Sequence, residues 1–163
     1  MPVPVVAAVN GVAAGAGANL ALNCDLVVAA RSASFIQAFS KIGLVPDAGG
    51  SWLLVERLGL ARALALAMTG DKLPAPQAKE WGLIWDVAED CLEASSQMAK
   101  RLAEMPTQAL IATRALLREA GNRSLNQQLD VERDTQSALG QTHDYIEGVS
   151  AFLQKRPPQF TGH

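Results

Sequence analysis

The sequence predicts an α/β layer followed by a helical region, and three observations carry that prediction. Two short, β-branched apolar runs, residues 3–9 and 25–29, flank a Gly/Ala-rich turn and a short helical stretch. From Leu92 onward the apolar residues recur at helical spacing. Proline, glycine and a Ser-x-x-Gln pattern then mark where the later helices begin and end.

In order, residues 3–9 read as a buried strand stopped by the turn signal Asn10-Gly11. Residues 11–17 are rich in Gly and Ala, and residues 18–22 read as helix. Residues 25–29 form a second buried strand, with Asp25 at its start in a structural hydrogen-bonding role. The run 35–42 fits strand or helix equally. A tight turn over Pro46-Asp47-Ala48-Gly49-Gly50 leads to helices at 51–58 and 61–68. A short helix at 74–81 carries Pro76 in its first turn, and 83–87 reads as a last strand. Leu92, Ser95, Ala99, Leu102 and Met105 make a helical stripe that Pro106 stops. Another helix runs 107–120 with Gly121 as its cap. Ser124 and Gln127 form a capping box for a helix to about Leu139. A final helix at about 143–153 precedes a Pro-Pro tail. The expected division is therefore 1–90 as the α/β core and 91–163 as the helical region. The chain opens directly on a buried-type strand, which leads to the expectation of a missing upstream segment.

The 163 residues, 49% of them hydrophobic, suffice for a real core. A formal charge of -2 and a pI near 5.6 argue against nucleic-acid binding. Cys24 and Cys91 lack metal or redox spacing, which suits reduced, buried thiols. His143 and His163 have no evident co-ligands for a metal. With no basic residue before the first apolar run and no membrane-length span, a cytoplasmic protein without membrane association is expected.

The segment from Asn10 to Asn19 follows a strand and opens a helix, where small residues permit close approach and free N–H groups can hold an anion or oxyanion. A dinucleotide site is disfavoured. The pattern Gly15-x-Gly17-x-x-Leu20 lacks its third glycine, and no acidic residue follows at the end of a next strand. Tight strand–helix packing alone is the other reading of these glycines.

Asn10-Gly11-x-Ala13-x-Gly15-x-Gly17, then Leu20-Ala21 and Cys24-Asp25, resembles the crotonase (enoyl-CoA hydratase/isomerase) signature. The resemblance continues through Gly43-Leu44-Val45-Pro46-Asp47-Ala48-Gly49-Gly50, Leu58-Gly59, Met68-Thr69-Gly70-Asp71, Ala78 and Gly82-Leu83. It ends with Glu147-Gly148, Ala151-Phe152 and Lys155-Arg156-x-Pro158-x-Phe160. The implied fold is a partial spiral of ββα units followed by a C-terminal helical region. The implied chemistry turns an acyl-CoA thioester into an enolate held by two backbone N–H groups. One of these falls on Ala16, where the family usually has glycine. The second donor and most of the CoA nucleotide loop would lie upstream. No cofactor is implied, because coenzyme A is part of the substrate.

Hydratases of that superfamily use two glutamates, and this sequence has Asn19 and Phe39 in their places. An amide is no carboxylate base, and a phenyl ring does no proton chemistry. The resemblance instead points to Asp47, in the slot where the superfamily's isomerases carry an aspartate. By its residues alone Asp47 is a turn former or a cap for the helix at Ser51. The strings Ala38-Phe39-Ser40-Lys41 and Gln128-Leu129-Asp130-x-Glu132-Arg133-Asp134 are similar to the phenylacetate-pathway isomerases of the superfamily. That implies conversion of a ring epoxide of phenylacetyl-CoA to an oxepin-CoA, or 3-enoyl to 2-enoyl migration. Phe39, Ile36 and Asn19 would then line the substrate pocket; Phe39 and Ile36 are otherwise ordinary core residues. Lys155 and Phe152 fall where, by the resemblance, the superfamily comes close to the CoA of a neighbouring subunit, although a solvated basic tail explains them equally. The helices from Leu92 resemble the superfamily's trimerisation region, implying a homotrimer or a dimer of trimers. The alternatives are a hydratase and a non-catalytic fragment serving only as an oligomerisation core.

Overall fold

The computed structural model describes all 163 residues. They separate into two compact units: Val5–Met98, and Ala99–His163 together with Met1–Pro4. The division falls inside a helix, α4 (Cys91–Ala103), rather than at its start. No helix is long and apolar enough to cross a membrane.

The first unit runs β1 (Val6–Val9), β2 (Val12–Ala14), α1 (Ala16–Asn23), β3 (Leu26–Ala30), β4 (Ser34–Ile36) and a 3-10 helix (Ala38–Ile42). It continues with α2 (Gly50–Thr69), β5 (Lys72–Pro74), α3 (Ala75–Glu80) and β6 (Asp86–Ala88). The first four strands alternate between two sheets, β5 joins the sheet of β4, and β6 returns to the other. One sheet has the order β1-β3-β6, all parallel; the other has β2-β4-β5, with β2 parallel to β4 and β4 antiparallel to β5. Val6 pairs with Leu26 in one sheet while Val12 pairs with Ser34 in the other. The second strand–strand–helix unit, β3-β4-α2, therefore lays its two strands beside β1 and β2, and β5 and β6 extend the same two sheets. This is a spiral of ββα units, as the motif series implies.

Long-range pairing explains what local pattern missed. The Gly/Ala segment contains a strand, β2, because Ala13 and its neighbours find β4 as a partner. Three small residues carry too little periodicity to announce it. The same holds for β5 against β4. The ambiguous run 35–42 resolves into the end of β4 and the 3-10 helix. The last strand starts at Asp86, later than expected. Leu83 and Ile84 are buried, but in the turn before it, so their apolarity marks the core rather than a strand. The two helices expected over 51–68 are present as α2, broken at Gly59 by non-helical angles of φ 73° and ψ 163°.

The core of this unit gathers Leu22, Val27, Leu54, Leu73 and Leu83, all almost fully enclosed. Each such side chain contributes roughly 1.5–3 kcal/mol of burial. At its edge the Val5 N–H donates to Asp25 Oδ2 at 2.8 Å. Asp25 thus ties the start of β3 to the entry of β1.

The second unit is helical: the end of α4, α5 (Thr107–Glu119), α6 (Leu125–Leu139) and α7 (His143–Gln154). Arg114 holds its N-terminal stretch by donating to the carbonyls of Met1 and Val3. The expected capping box is present, with Gln127 N–H on Ser124 Oγ and Ser124 N–H on Gln127 Oε1. Gly121 does not cap α5 in the left-handed region. The chain instead tightens into a 3-10 turn over Ala120–Asn122 and stays right-handed at Ala120. α7 does end left-handed, at Lys155 with φ 53°.

Candidate active site

Four of the residues singled out in the sequence gather around the start of α1. Gly15 stands at its N-cap with φ 52° and ψ −128°, a conformation open to glycine and strained for other residues. Its N–H donates to Ile36 O at 2.8 Å, joining the Gly/Ala segment to the end of β4. A Cβ on Gly15 would sit 3.5 Å from the Phe39 ring, so that ring closes over the turn. Phe39 is buried and Ile36 half-buried. Ala16 follows as the first residue of α1 and is exposed. Its N–H lies among the first four of a helix, which have no intrahelical acceptor, and it can serve an oxyanion.

One turn further along α1, Asn19 is 0% exposed, so it stands behind the surface rather than at a pocket wall. The expectation of a pocket-lining Asn19 is replaced by a clamp. Its Nδ2 donates to Asp47 O at 3.0 Å, and its Oδ1 accepts from Gln37 Nε2 at 2.9 Å. Asn23, on the next turn of α1, adds a bond from Nδ2 to Ala48 O at 2.8 Å. Two amides of one helix thus grip two successive carbonyls of the Asp47 turn.

That turn closes on itself through Gly50 N–H to Asp47 O at 2.7 Å. Ala48 is left-handed at φ 45°, and Gly49 follows at φ 78° as the N-cap of α2. A left-handed alanine costs on the order of 1 kcal/mol and persists only where its surroundings dictate it. Here the bonds from Asn19, Asn23 and Gly50 do so. Gly50 is dictated as well, since a Cβ there would collide with the Asn19 amide. Asp47 does not cap α2, which has no side-chain cap. The turn uses the Asp47 carbonyl and leaves its carboxylate exposed, with no partner in the chain. A fixed backbone carrying an unengaged carboxylate is what a positioned base requires.

A family model for enoyl-CoA hydratase/isomerase matches residues 1–163. The chain belongs to the enoyl-CoA hydratase/isomerase family. Within that family it is 54% identical over 164 residues to the 1,2-epoxyphenylacetyl-CoA isomerase of Escherichia coli K12, covering 99% of this chain and 63% of that protein. It is 40% identical to the 2,3-dehydroadipyl-CoA hydratase of the same organism, covering 98% and 63%. To the trans-2-decenoyl-[acyl-carrier-protein] isomerase of Streptococcus mutans it is 38% identical, covering 99% and 62%. Among solved structures, an enoyl-CoA hydratase from Polaromonas sp. JS666 superposes with a TM-score of 0.94 at 42% identity, covering 98% of this chain and 63% of that one. Isomerase and hydratase names both occur among these family members. The chain spans just under two thirds of their length.

Lys155 and Phe152 belong to the other unit. Both are exposed, Phe152 at 83%, at the end of α7. Phe152 lines an apolar recess of about 400 Å³ with Leu139, Tyr145, Val149, Phe160 and His163. The C-terminal tail forms part of that wall and is pinned by two acids. The Glu147 carboxylate accepts from both Arg156 Nη1 and Nη2 (2.5 and 2.8 Å) and from the Gln159 N–H (2.8 Å). The Arg156 guanidinium and then that N–H pull its carboxyl down to about 2. Burial pushes the Asp144 carboxyl up. The Thr161 and Gly162 N–H groups at 2.8 Å outweigh this and hold it below the usual range. Sequence reasoning found neither this latch nor Gln37 and Asn23. A glutamine in an ambiguous run and an asparagine at a helix end carry no signal until the fold brings them to their partners.

Proposed function

We propose that this chain serves an isomerase of acyl-CoA thioesters in which Asp47 moves the proton and the Ala16 N–H supports the enolate oxygen. The observation that carries the reading is the Asp47 turn. Its backbone is held by three hydrogen bonds to Asp47 and Ala48 carbonyls while its carboxylate remains unengaged. In the step envisaged, Asp47 takes a proton from the carbon alpha to the thioester carbonyl. The resulting enolate oxygen accepts from Ala16 N–H, and Asp47 returns the proton at another carbon. Nothing is gained or lost, so one carboxylate suffices and no cofactor is called for; coenzyme A arrives with the substrate. Losing a single oxyanion donor typically costs ~10²–10³ in rate, which is the weight Ala16 would bear.

Hydration is the weaker reading. It asks for carboxylate chemistry where this chain has Asn19, whose amide is committed on both sides, and the phenyl ring of Phe39. The finer substrate is a ring 1,2-epoxide of phenylacetyl-CoA passing to oxepin-CoA, or a 3-enoyl-CoA passing to 2-enoyl-CoA. The 54% identity to the Escherichia coli isomerase supports the former. Ile36 and Phe39, beside the start of α1, would border the acyl group, and Lys155 and Phe152 would meet the CoA of a neighbouring subunit. The chain would work as a homotrimer or a dimer of trimers.

The test is acyl-CoA binding and isomerase turnover by this chain beside Asp47→Asn. Turnover should fall by roughly 10²-fold or more with binding retained, as for loss of a general base. Parental turnover in Asp47→Asn would sink the assignment. A chain that binds no acyl-CoA would favour the non-catalytic oligomerisation core.

A further inference from the structure

We propose that Gln37 is a positioning residue: it fixes the orientation of the Asn19 amide and, through it, the turn that presents Asp47. The proposal rests on the isomerase reading for its consequence and on buried geometry for its existence. Gln37 is 3% exposed and Asn19 0% exposed, so neither amide has water as an alternative partner. The Asp47 carbonyl can only accept, so Asn19 must point Nδ2 toward it, at 3.0 Å. That choice turns Asn19 Oδ1 the other way, where it needs a donor, and Gln37 Nε2 supplies one at 2.9 Å. Flipping either amide would set two donors or two acceptors face to face. The chain Gln37–Asn19–Asp47 therefore has a single self-consistent order, imposed from the turn.

Gln37 Oε1 is buried with no hydrogen-bond partner. Leaving an acceptor orphaned is costly, and the structure tolerates it where the opposite end of the same amide is engaged. Gln37 is held in place from its own backbone as well. It precedes the 3-10 helix carrying Phe39, and its carbonyl lies against Gly70, where an added Cβ would come within 3.3 Å. Gln37 thus links the Phe39 segment to the Asp47 turn by way of α1.

The experiment reads the turn directly. Amide exchange protection at Gly50, whose N–H closes the turn on Asp47 O, is measured in the parent and in Gln37→Met, which keeps the length but not the donor. Protection in Gln37→Met should fall by roughly 10-fold, as an Asn19 amide freed on one side loosens its hold on the turn. Turnover should fall with it, in kcat more than in KM. The conservative Gln37→Glu, whose neutral acid can still donate to Asn19 Oδ1, should keep parental protection at about pH 5. It should lose protection toward about pH 9 as a carboxylate faces that oxygen. Parental Gly50 protection in a folded Gln37→Met overturns the proposal. Should that variant not fold, parental protection in Gln37→Glu at about pH 9 overturns it. Because protection is read without substrate, its outcome is independent of the outcome for Asp47. Full turnover in Asp47→Asn would remove the isomerase reading and leave the Gln37 result standing as a statement about the turn alone.

Discussion

Asp47 owes its availability to residues that do no proton chemistry. Its carbonyl is claimed by Asn19 and Gly50, its neighbour Ala48 by Asn23, and the carboxylate alone is left over. Gly50 is the tightest point of this arrangement, because the Asn19 amide occupies the place a Cβ would take. A flexible side chain could swing aside, but Asn19 is enclosed and bonded at both ends of its amide. Gly50→Ala should therefore cost about 1–3 kcal/mol by overpacking, read as a lower urea midpoint with an unchanged slope. A midpoint equal to the parent's would mean the Asn19 clamp is not rigid. The residue-level signal was partly legible. Pro-Asp-x-Gly announces a turn wherever it occurs, whereas the clamp depends on Asn19 and Asn23, 28 and 25 positions from the carbonyls they hold, which only folding brings near.

At the scale of elements, the capping box at Ser124 and the stop at Pro106 are local chemistry, and both stand where the sequence puts them. Gly121 shows the limit of such reasoning, since a glycine after a helix permits a left-handed cap without requiring one. The C-terminal tail is an element without regular structure, and electrostatics hold it to α7. The Glu147 carboxyl is drawn to about 2 in the folded chain, below the ordinary ~4.3 of a free glutamate. A depressed folded value contributes stability above the ordinary value, and that contribution is lost as pH falls toward the folded one. The tail should therefore remain docked near neutrality and loosen between about pH 4 and pH 2, as the Gln159 amide resonance would report. A resonance unmoved over that range would show that Glu147 is not what holds the tail.

On the scale of the whole molecule, the helical unit leaves Leu117, Leu125, Ile146, Phe152 and Leu153 exposed. Large exposed apolar side chains of this kind are what a subunit interface would cover. Under the proposed assembly, sedimentation at micromolar concentration should give three or six times the 17.2 kDa of one chain. A monomer under those conditions would remove the trimer from the proposal.

The sequence by itself determined the helices of the second unit, the strands β1 and β3, the break in α2 near Gly59 and the turn at Asp47. Each is set by neighbours a few residues apart through periodicity, capping or glycine geometry. It also carried the ordered motif series that led to the family. Only the tertiary structure decided that residues 12–14 and 72–74 are strands. Their three-residue runs have no preference strong enough to act without a partner strand across the sheet. It also moved Asn19 from a pocket wall to a buried clamp and brought Gln37 to it. Hydrogen bonds between buried amides depend on which groups the fold has cut off from water, and that is a property of the packed chain.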